Sequence, residues 1–165
     1  MTLPDIAPPL YDLPSQEKQH RFHDGSTRVL RWVDLECPYP DGKLIVSRTN
    51  REGIITHAND AFVQMSGGYT LEELLGSPHH ILRHPEMPSR VFQDIWEKCK
   101  NREKWHGYVK NLRKDGAYYW VYASVVPNVR NGQVVGFTSV RRKPSRTKIN
   151  EIIPLYAQYL QQEKS

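Results

Sequence analysis

The chain of 165 residues is long enough for one domain of roughly 100–150 residues with an extension at each end. Its net charge of +5 permits contact with an anionic partner, but the basic residues are scattered, and we expect no nucleic-acid binding. Two cysteines in no metal or redox spacing argue against a disulfide scaffold, and no apolar run approaches the ~20 residues of a membrane span, so we expect a soluble, cytoplasmic protein.

The first 43 residues are predicted to form an N-terminal arm. Residues 1–27 are rich in proline and polar side chains and should take their order from another surface. The apolar segment Val29–Leu35 fits an extra strand or a short helix. A turn at Pro38–Gly42 then precedes the strand-like segment 44–49, where the main domain begins.

Short elements separated by turn signals are predicted between residues 50 and 88. The predicted elements are a turn at 50–53, a strand at 54–58, a helix at 61–66 capped by Asn59 or Asp60, a helix started by the capping box at Thr70–Glu73, and a single helical turn between Pro78 and Pro85. Ser89 is then predicted to cap a longer helix. Its apolar stripe is expected to be core and consists of Val91, Phe92, Ile95, Trp96 and Cys99.

From Trp105 onward the apolar period changes to two, which predicts three long antiparallel strands at 105–113, 118–126 and 133–141. The basic patch that begins at Arg141 is expected to be solvated surface charge. Residues 144–165 are predicted to form a C-terminal helix, interrupted or restarted at Pro154. The element order predicts an α+β domain, with short helices packed on one face of a five-stranded antiparallel sheet.

Several motifs resemble those of the PAS family, and within it the flavin-binding PAS domains of bacterial aerotaxis receptors. They are Thr-His-Ala-Asn-Asp-Ala-Phe at 56–62, Ser-Gly at 66–67, Tyr-Thr-Leu-Glu-Glu-Leu at 69–74, Arg-His-Pro-Glu-Met-Pro at 83–88, Trp-His-Gly-Tyr-Val-Lys-Asn at 105–111 and Tyr-Trp-Val at 119–121. The resemblance covers about residues 44–143. The element at 83–88 is its most specific part.

The resemblance implies a PAS sensor domain at 44–143 that binds FAD without a covalent bond and catalyses no reaction. It further implies redox or oxygen sensing, with the state of the flavin passed to a receptor, transducer or other signalling partner. Receptors of this type continue into membrane and signalling segments, so the chain is expected to be a fragment of one or a separate subunit. Residues 1–43 and the signalling helix 144–165 are the expected sites of homodimer or partner contacts.

The residues from Trp105 to Asn111 are expected to form one wall of the pocket. Trp105, Gly107 and Asn111 share one face of a strand, and Gly107 would leave space for a planar ring. A buried Asn carboxamide needs partners, which the polar edge of a ligand could supply. If Asp115 and Gly116 form the tight turn, Trp120 lies opposite Asn111, and Ser124, where the family pattern leads us to expect Asn, lies opposite Gly107.

Four further residues complete the predicted cofactor site. Arg83 and His84 are candidates for contacts to a phosphate or to the edge of the ring, and Glu86 is a candidate for orienting Arg83. Phe92 is expected to be core and pocket wall. Asn59 is expected to cap a helix, although the family pattern places it near the flavin.

Other functions remain as alternatives. His79, His80 and His84 are poorly aligned for zinc, and no carboxylate or cysteine completes a set of ligands. A haem-binding or small-ligand PAS sensor, a flavoenzyme and a cofactor-free interaction domain stay open. A light-driven thiol adduct is not expected, because the segment 79–88 contains no cysteine.

Overall fold

The structure is a computed structural model, and it describes residues 3–7, 11–22 and 24–164. The strands are β1 (Ser15–Arg21), β2 (Thr27–Val33), β3 (Ile45–Asn50), β4 (Ile55–Ala58), β5 (Trp105–Leu112), β6 (Tyr118–Arg130) and β7 (Gln133–Arg142). The helices are α1 (Asp60–Met65), α2 (Leu71–Leu74), a 3-10 turn (His79–Leu82), α3 (Ser89–Lys100) and α4 (Arg146–Lys164).

Five strands form one antiparallel sheet in the order β4-β3-β7-β6-β5, which confirms the predicted α+β class. The side chains of alternate residues point to opposite faces of this sheet. We call the face that carries Ser47, Asn111 and Ser139 the inner face, and α1 and α3 lie on this side. The opposite, outer face carries Trp120 and Ser124 and receives α4.

The N-terminal segment forms a hairpin, β1–β2, so the strand alternative for Val29–Leu35 is the correct one. Its apolar residues are ordered by the domain itself. Ile6 is 1% exposed and its N–H donates to the Val29 carbonyl, while Phe22 is buried in a stack on His80. Residues 1, 2, 8–10 and 23 of the predicted arm lie outside the described residues.

Arg28, on β2, is 2% exposed and joins three parts of the structure. Its guanidinium donates hydrogen bonds to the Pro4 carbonyl at 2.8 Å, to the Ile81 carbonyl at 2.9 Å and to the Tyr69 hydroxyl at 2.9 Å. Among the described residues no carboxylate pairs with it. Neutral acceptors therefore replace the water that this cation loses on folding.

Two details of the helices differ from the sequence prediction. Ser89 does not cap α3: the N-cap is Pro88, and the Ser89 hydroxyl accepts a hydrogen bond from Arg83 instead. Helix α4 is continuous through Pro154. A proline removes one backbone donor, and the packing of buried Ile149 and Tyr156 on either side holds the helix together across that position.

Helix α4 packs on the outer face near β5. The Tyr156 hydroxyl donates to the Tyr108 carbonyl at 2.7 Å, and its ring lies 6.2 Å from that of Trp120. A second contact joins α4 to α3, where Arg90 lies over the Tyr159 ring. Within the described residues, none of the helices combines the length and apolarity that a membrane span requires.

We predict that Arg28→Met lowers the free energy of unfolding by roughly 2–4 kcal/mol, because it leaves two buried acceptors and one part-buried acceptor without this donor. Urea unfolding measures the change. Arg51→Met is the matched control, since Arg51 is exposed and makes only a 3.7 Å ion pair with Glu52, worth less than about 0.5 kcal/mol. Equal stability of the two variants would contradict the bridging role of Arg28.

Candidate functional site

A cleft of about 120 Å³ lies between the inner face of the sheet and α3, and we call it the inner cleft. Its floor comes from alternate residues of four strands, and its wall comes from α3 and His79. The lining residues are Ser47, Thr49, His79, Phe92, Ile95, Trp96, Cys99, Trp105, Val109, Asn111, Ala123, Val125, Phe137, Ser139 and Arg141. The predicted core stripe of α3 thus faces the cleft, and Trp96 at its edge is 37% exposed.

Asn111 lies where the sequence predicted, on the inner face of β5 in the wall of the cleft. It is 8% exposed. The neighbouring Tyr119 hydroxyl is buried and has no partner at good hydrogen-bonding geometry among the described residues. Burial raises the pKa of this hydroxyl to about 12, although Arg141 and Asn111 act in the opposite direction. The wall of the cleft therefore contains a buried carboxamide whose cross-strand neighbour is a neutral phenol outside the lining.

Trp105 lines the cleft but is held by the protein itself. Its indole N–H donates to the Asp94 carboxylate on α3 at 2.9 Å. A Cβ atom on Gly107 would lie 2.4 Å from the Trp105 ring, so Gly107 makes room for this indole rather than for a ligand. Trp105 links β5 to α3 and forms a rigid side wall.

The predicted register of β5 and β6 is wrong by one residue. Asn111 pairs with Tyr119, and Gly107 pairs with Ala123. The loop has three residues, Lys114 to Gly116, instead of two, and Gly116 has a φ of 90°. A shift of one residue moves every side chain to the other face.

Trp120 and Ser124 consequently lie on the outer face, away from the inner cleft. Trp120 packs against Tyr156 of α4, and the Ser124 hydroxyl lies 2.9 Å from the His106 ring. The substitution of Ser for the expected Asn at 124 therefore leaves the lining of the cleft unchanged. Ala123 and Val125 provide the small apolar surface on this part of the floor.

Three more predicted residues lie outside the lining. Arg83 donates to the Met87 carbonyl and the Ser89 hydroxyl, and its guanidinium covers the Phe92 ring at 4.6 Å. It therefore supports Phe92, which does line the cleft, from behind. Asn59 caps α1 and also bonds to the backbone of β3. Glu86 pairs with Lys110 at 3.5 Å and does not orient Arg83.

His84 is completely buried below the hairpin, with its ring 5.8 Å from that of Trp32. Its Nδ1 accepts the Glu86 backbone N–H at 3.0 Å, so the neutral ring carries its proton on Nε2. Burial, with the nearby charge of Lys110, holds the His84 pKa well below its ordinary value of 6.5. His84 is not among the lining residues of the inner cleft, and its buried Nε2 has no hydrogen-bond partner among the described residues.

The sequence analysis missed the charged residue of the cleft. Arg141 belongs to the basic patch predicted to be solvated, but its side chain turns to the inner face beside Ser47 and Ser139. The other basic residues of the patch, Arg142, Lys143 and Arg146, are exposed as predicted. The period of two in β7 was the signal that could have separated them.

The donor set of the inner cleft suits a planar heteroaromatic group with a polar edge. Asn111, Arg141 and the two serines offer hydrogen bonds on one side, and Phe92, Trp96 and Phe137 offer aromatic surface on the other. The volume of 120 Å³ is below the roughly 300–1,000 Å³ of typical ligand pockets. A group larger than this volume therefore requires the lining of the cleft to move apart.

Comparison with known proteins identifies relatives over most of the chain. A family model described as the PAS fold matches residues 55–141. The aerotaxis receptor of Escherichia coli K12 is 48% identical over 119 residues, which are 72% of this chain and 23% of that receptor. A nitrogen fixation regulatory protein of Klebsiella pneumoniae is 29% identical over 59% of this chain and 20% of its own. The chain thus spans about a fifth to a quarter of these relatives.

Solved structures with the same architecture include a PAS domain from Colwellia psychrerythraea, with a TM-score of 0.56 and 26% identity over 62% of this chain and 87% of that one. The light state of the blue-light photoreceptor Aureochrome1 LOV has a TM-score of 0.60 and 22% identity, over 67% and 88% of the two chains. The second likeness shows the fold alone. Both agree with the architecture described above.

We predict that stability falls as the pH decreases from 7.5 to 5.0. Burial, aided by the charges of Arg83, Lys18 and Arg28, lowers the His20 pKa to about 4. Below pH 6.5 the His20 ring therefore binds a proton in the unfolded chain but not in the folded chain. The stability that the neutral ring contributes is fully present above pH 6.5 and is lost as the pH falls toward 4. Urea unfolding measures the decrease in the free energy of unfolding between pH 7.5 and 5.0. This decrease should be smaller by about 1 kcal/mol in His20→Gln than in the parent chain.

His57→Gln is the control for this experiment, because His57 is exposed on β4. It should leave the pH dependence as in the parent chain. An equal drop in His20→Gln and the parent chain would show that His20 does not titrate as described.

Proposed function

The chain belongs to the PAS family, and on this premise we propose that it is a redox-sensing module that holds a flavin in the inner cleft. Its relatives are a receptor and a regulatory protein by name, and the chain is a sensory module, not an enzyme. The observation that carries the proposal is the buried Asn111 carboxamide, which lines the same partly aromatic cleft as the Arg141 guanidinium. Polar groups at this depth need partners, and the polar edge of a flavin supplies them.

The residues that would hold the ring divide into two groups. Asn111, Arg141, Ser47 and Ser139 would bind its polar edge, while Phe92 and Trp96 would cover its apolar surface and exclude water. The chemistry that a bound flavin supplies is reversible uptake of electrons and a proton from a reduced carrier, with return to an acceptor such as dioxygen. We propose FAD as the flavin, on the resemblance to aerotaxis receptors.

The output of the sensor is proposed to leave through β5 and α4. Strand β5 carries Asn111 on its inner face, and its Tyr108 carbonyl accepts the Tyr156 hydroxyl of α4 at 2.7 Å. A change in hydrogen bonding at Asn111 would therefore act on a strand that is directly bonded to the C-terminal helix. We propose that residues 1–43 and 144–165 flank a sensor domain at 44–143, and that they form a homodimer and contact a cytoplasmic signalling partner.

We predict that the purified chain is yellow, with absorption bands near about 375 and 450 nm, as for oxidised flavin. A Soret band would indicate haem, and a featureless spectrum a cofactor-free interaction domain. Mass spectrometry of the released cofactor distinguishes FAD from FMN. A colourless chain that takes up no added FAD would contradict the proposal.

Asn111→Leu should weaken FAD binding roughly tenfold, because loss of one or two buried hydrogen bonds costs about 1–3 kcal/mol. Titration of the apoprotein with FAD measures the affinity, and circular dichroism checks the fold. Ser124→Ala is the matched control on the outer face and should bind FAD as the parent does. Equal affinities of all three proteins would place the flavin elsewhere.

A further inference from the structure

Arg141 is a cation inside the inner cleft without a countercharge. Its guanidinium donates to the Ser47 hydroxyl at 3.0 Å and lies over the Phe62 ring, 5.0 Å from its centroid. Among the described residues this is its only side-chain hydrogen bond, and no carboxylate lies within ion-pair distance. A guanidinium has five N–H donors, so most of its capacity stays free toward the cleft.

Arg28 shows what a structural arginine looks like in the same molecule. It is only 2% exposed, whereas Arg141 is partly exposed, and it donates to three acceptors that belong to three different segments. Arg141 has one such acceptor, a serine hydroxyl that can also turn to other partners. The two residues share their charge, and they differ in exposure and in the number of protein acceptors that each guanidinium reaches.

A charge that is buried and poorly satisfied costs stability. Burial lowers the Arg141 pKa, and the neighbouring phenols of Tyr119 and Tyr39 only partly oppose this. An apolar side chain of similar length at this position would avoid the cost. A positive charge with a single protein acceptor in the lining of a cleft points to a ligand that meets it.

We propose that the positive charge of Arg141 recognises negative charge on a bound flavin. The inner cleft would therefore bind the reduced, negatively charged form of the flavin more tightly than the oxidised, neutral form. This inference rests on the proposed function. Two electrons and one proton from a reduced electron carrier convert the neutral oxidised ring into a reduced ring that bears one negative charge. A fixed cation next to the ring binds the second form more tightly and so raises its midpoint potential.

The test compares Arg141→Met, Arg141→Lys and Arg142→Met in the full 165-residue chain. The midpoint potential of bound FAD is measured by dithionite titration, and the stability of each apoprotein by thermal unfolding. Arg141→Met should lower the potential by at least about 30 mV, which is a tenfold loss of preference for reduced over oxidised FAD. The same variant should leave the apoprotein as stable as the parent or more stable.

Arg141→Lys keeps the charge and should restore most of the potential, while Arg142→Met, on the outer face, should change neither quantity. If a folded Arg141→Met variant binds no FAD, that loss also supports recognition of the flavin by Arg141. The midpoint potential is then measured in Arg141→Lys instead. An unchanged potential in Arg141→Met, or a destabilised apoprotein without a change in potential, would make Arg141 a structural residue and overturn the inference. Failure of the parent chain to bind FAD would instead overturn the proposed function, and this inference with it.

Discussion

The turn between β5 and β6 decides which side chains reach the inner cleft. Arg113 and Asp115 form an ion pair at 2.8 Å within it, and the Asp115 carboxylate also accepts the Ala117 N–H. These bonds stabilise a loop of three residues, with Gly116 in the left-handed region. The register that follows places Asn111 beside Tyr119 and turns Trp120 toward α4. With a loop of two residues, an indole would take the position opposite Asn111 that the Tyr119 phenol now holds.

Strand alternation also separates the proposed binding site from the proposed path of the output within one domain. The inner face of the sheet contributes the polar and aromatic lining of the cleft, and the outer face contributes the contacts with α4. Both sets of side chains lie on the same strands, so the backbone of these strands couples the two faces directly. A displacement of β5 by a fraction of an ångström is felt on both faces, because a close-packed interior transmits strain.

The sequence was sufficient for the element order, the sheet class, the capping box at Thr70 and the inward position of Asn111. These follow from local rules, namely turn chemistry, capping and strand parity. It was insufficient where a result depends on loop length or on tertiary contacts. Trp120 and Ser124 were assigned to the wrong face by one residue of loop, and Arg141 was taken for surface charge because its neighbours are basic. Arg83 and His84 carry the most specific motif, but they support the fold around the cleft rather than line it.

The hydrogen bonds of Arg28 tie the PAS domain to the N-terminal segment that precedes it. A chain that begins at residue 44 would lack β2 and therefore Arg28. The Tyr69 hydroxyl and the Ile81 carbonyl would then lose the guanidinium that donates to both. The part of the chain that the PAS family model matches, residues 55–141, is therefore shorter than the part that these bonds hold together. Transplanting the sensor into another receptor would require the hairpin to travel with it.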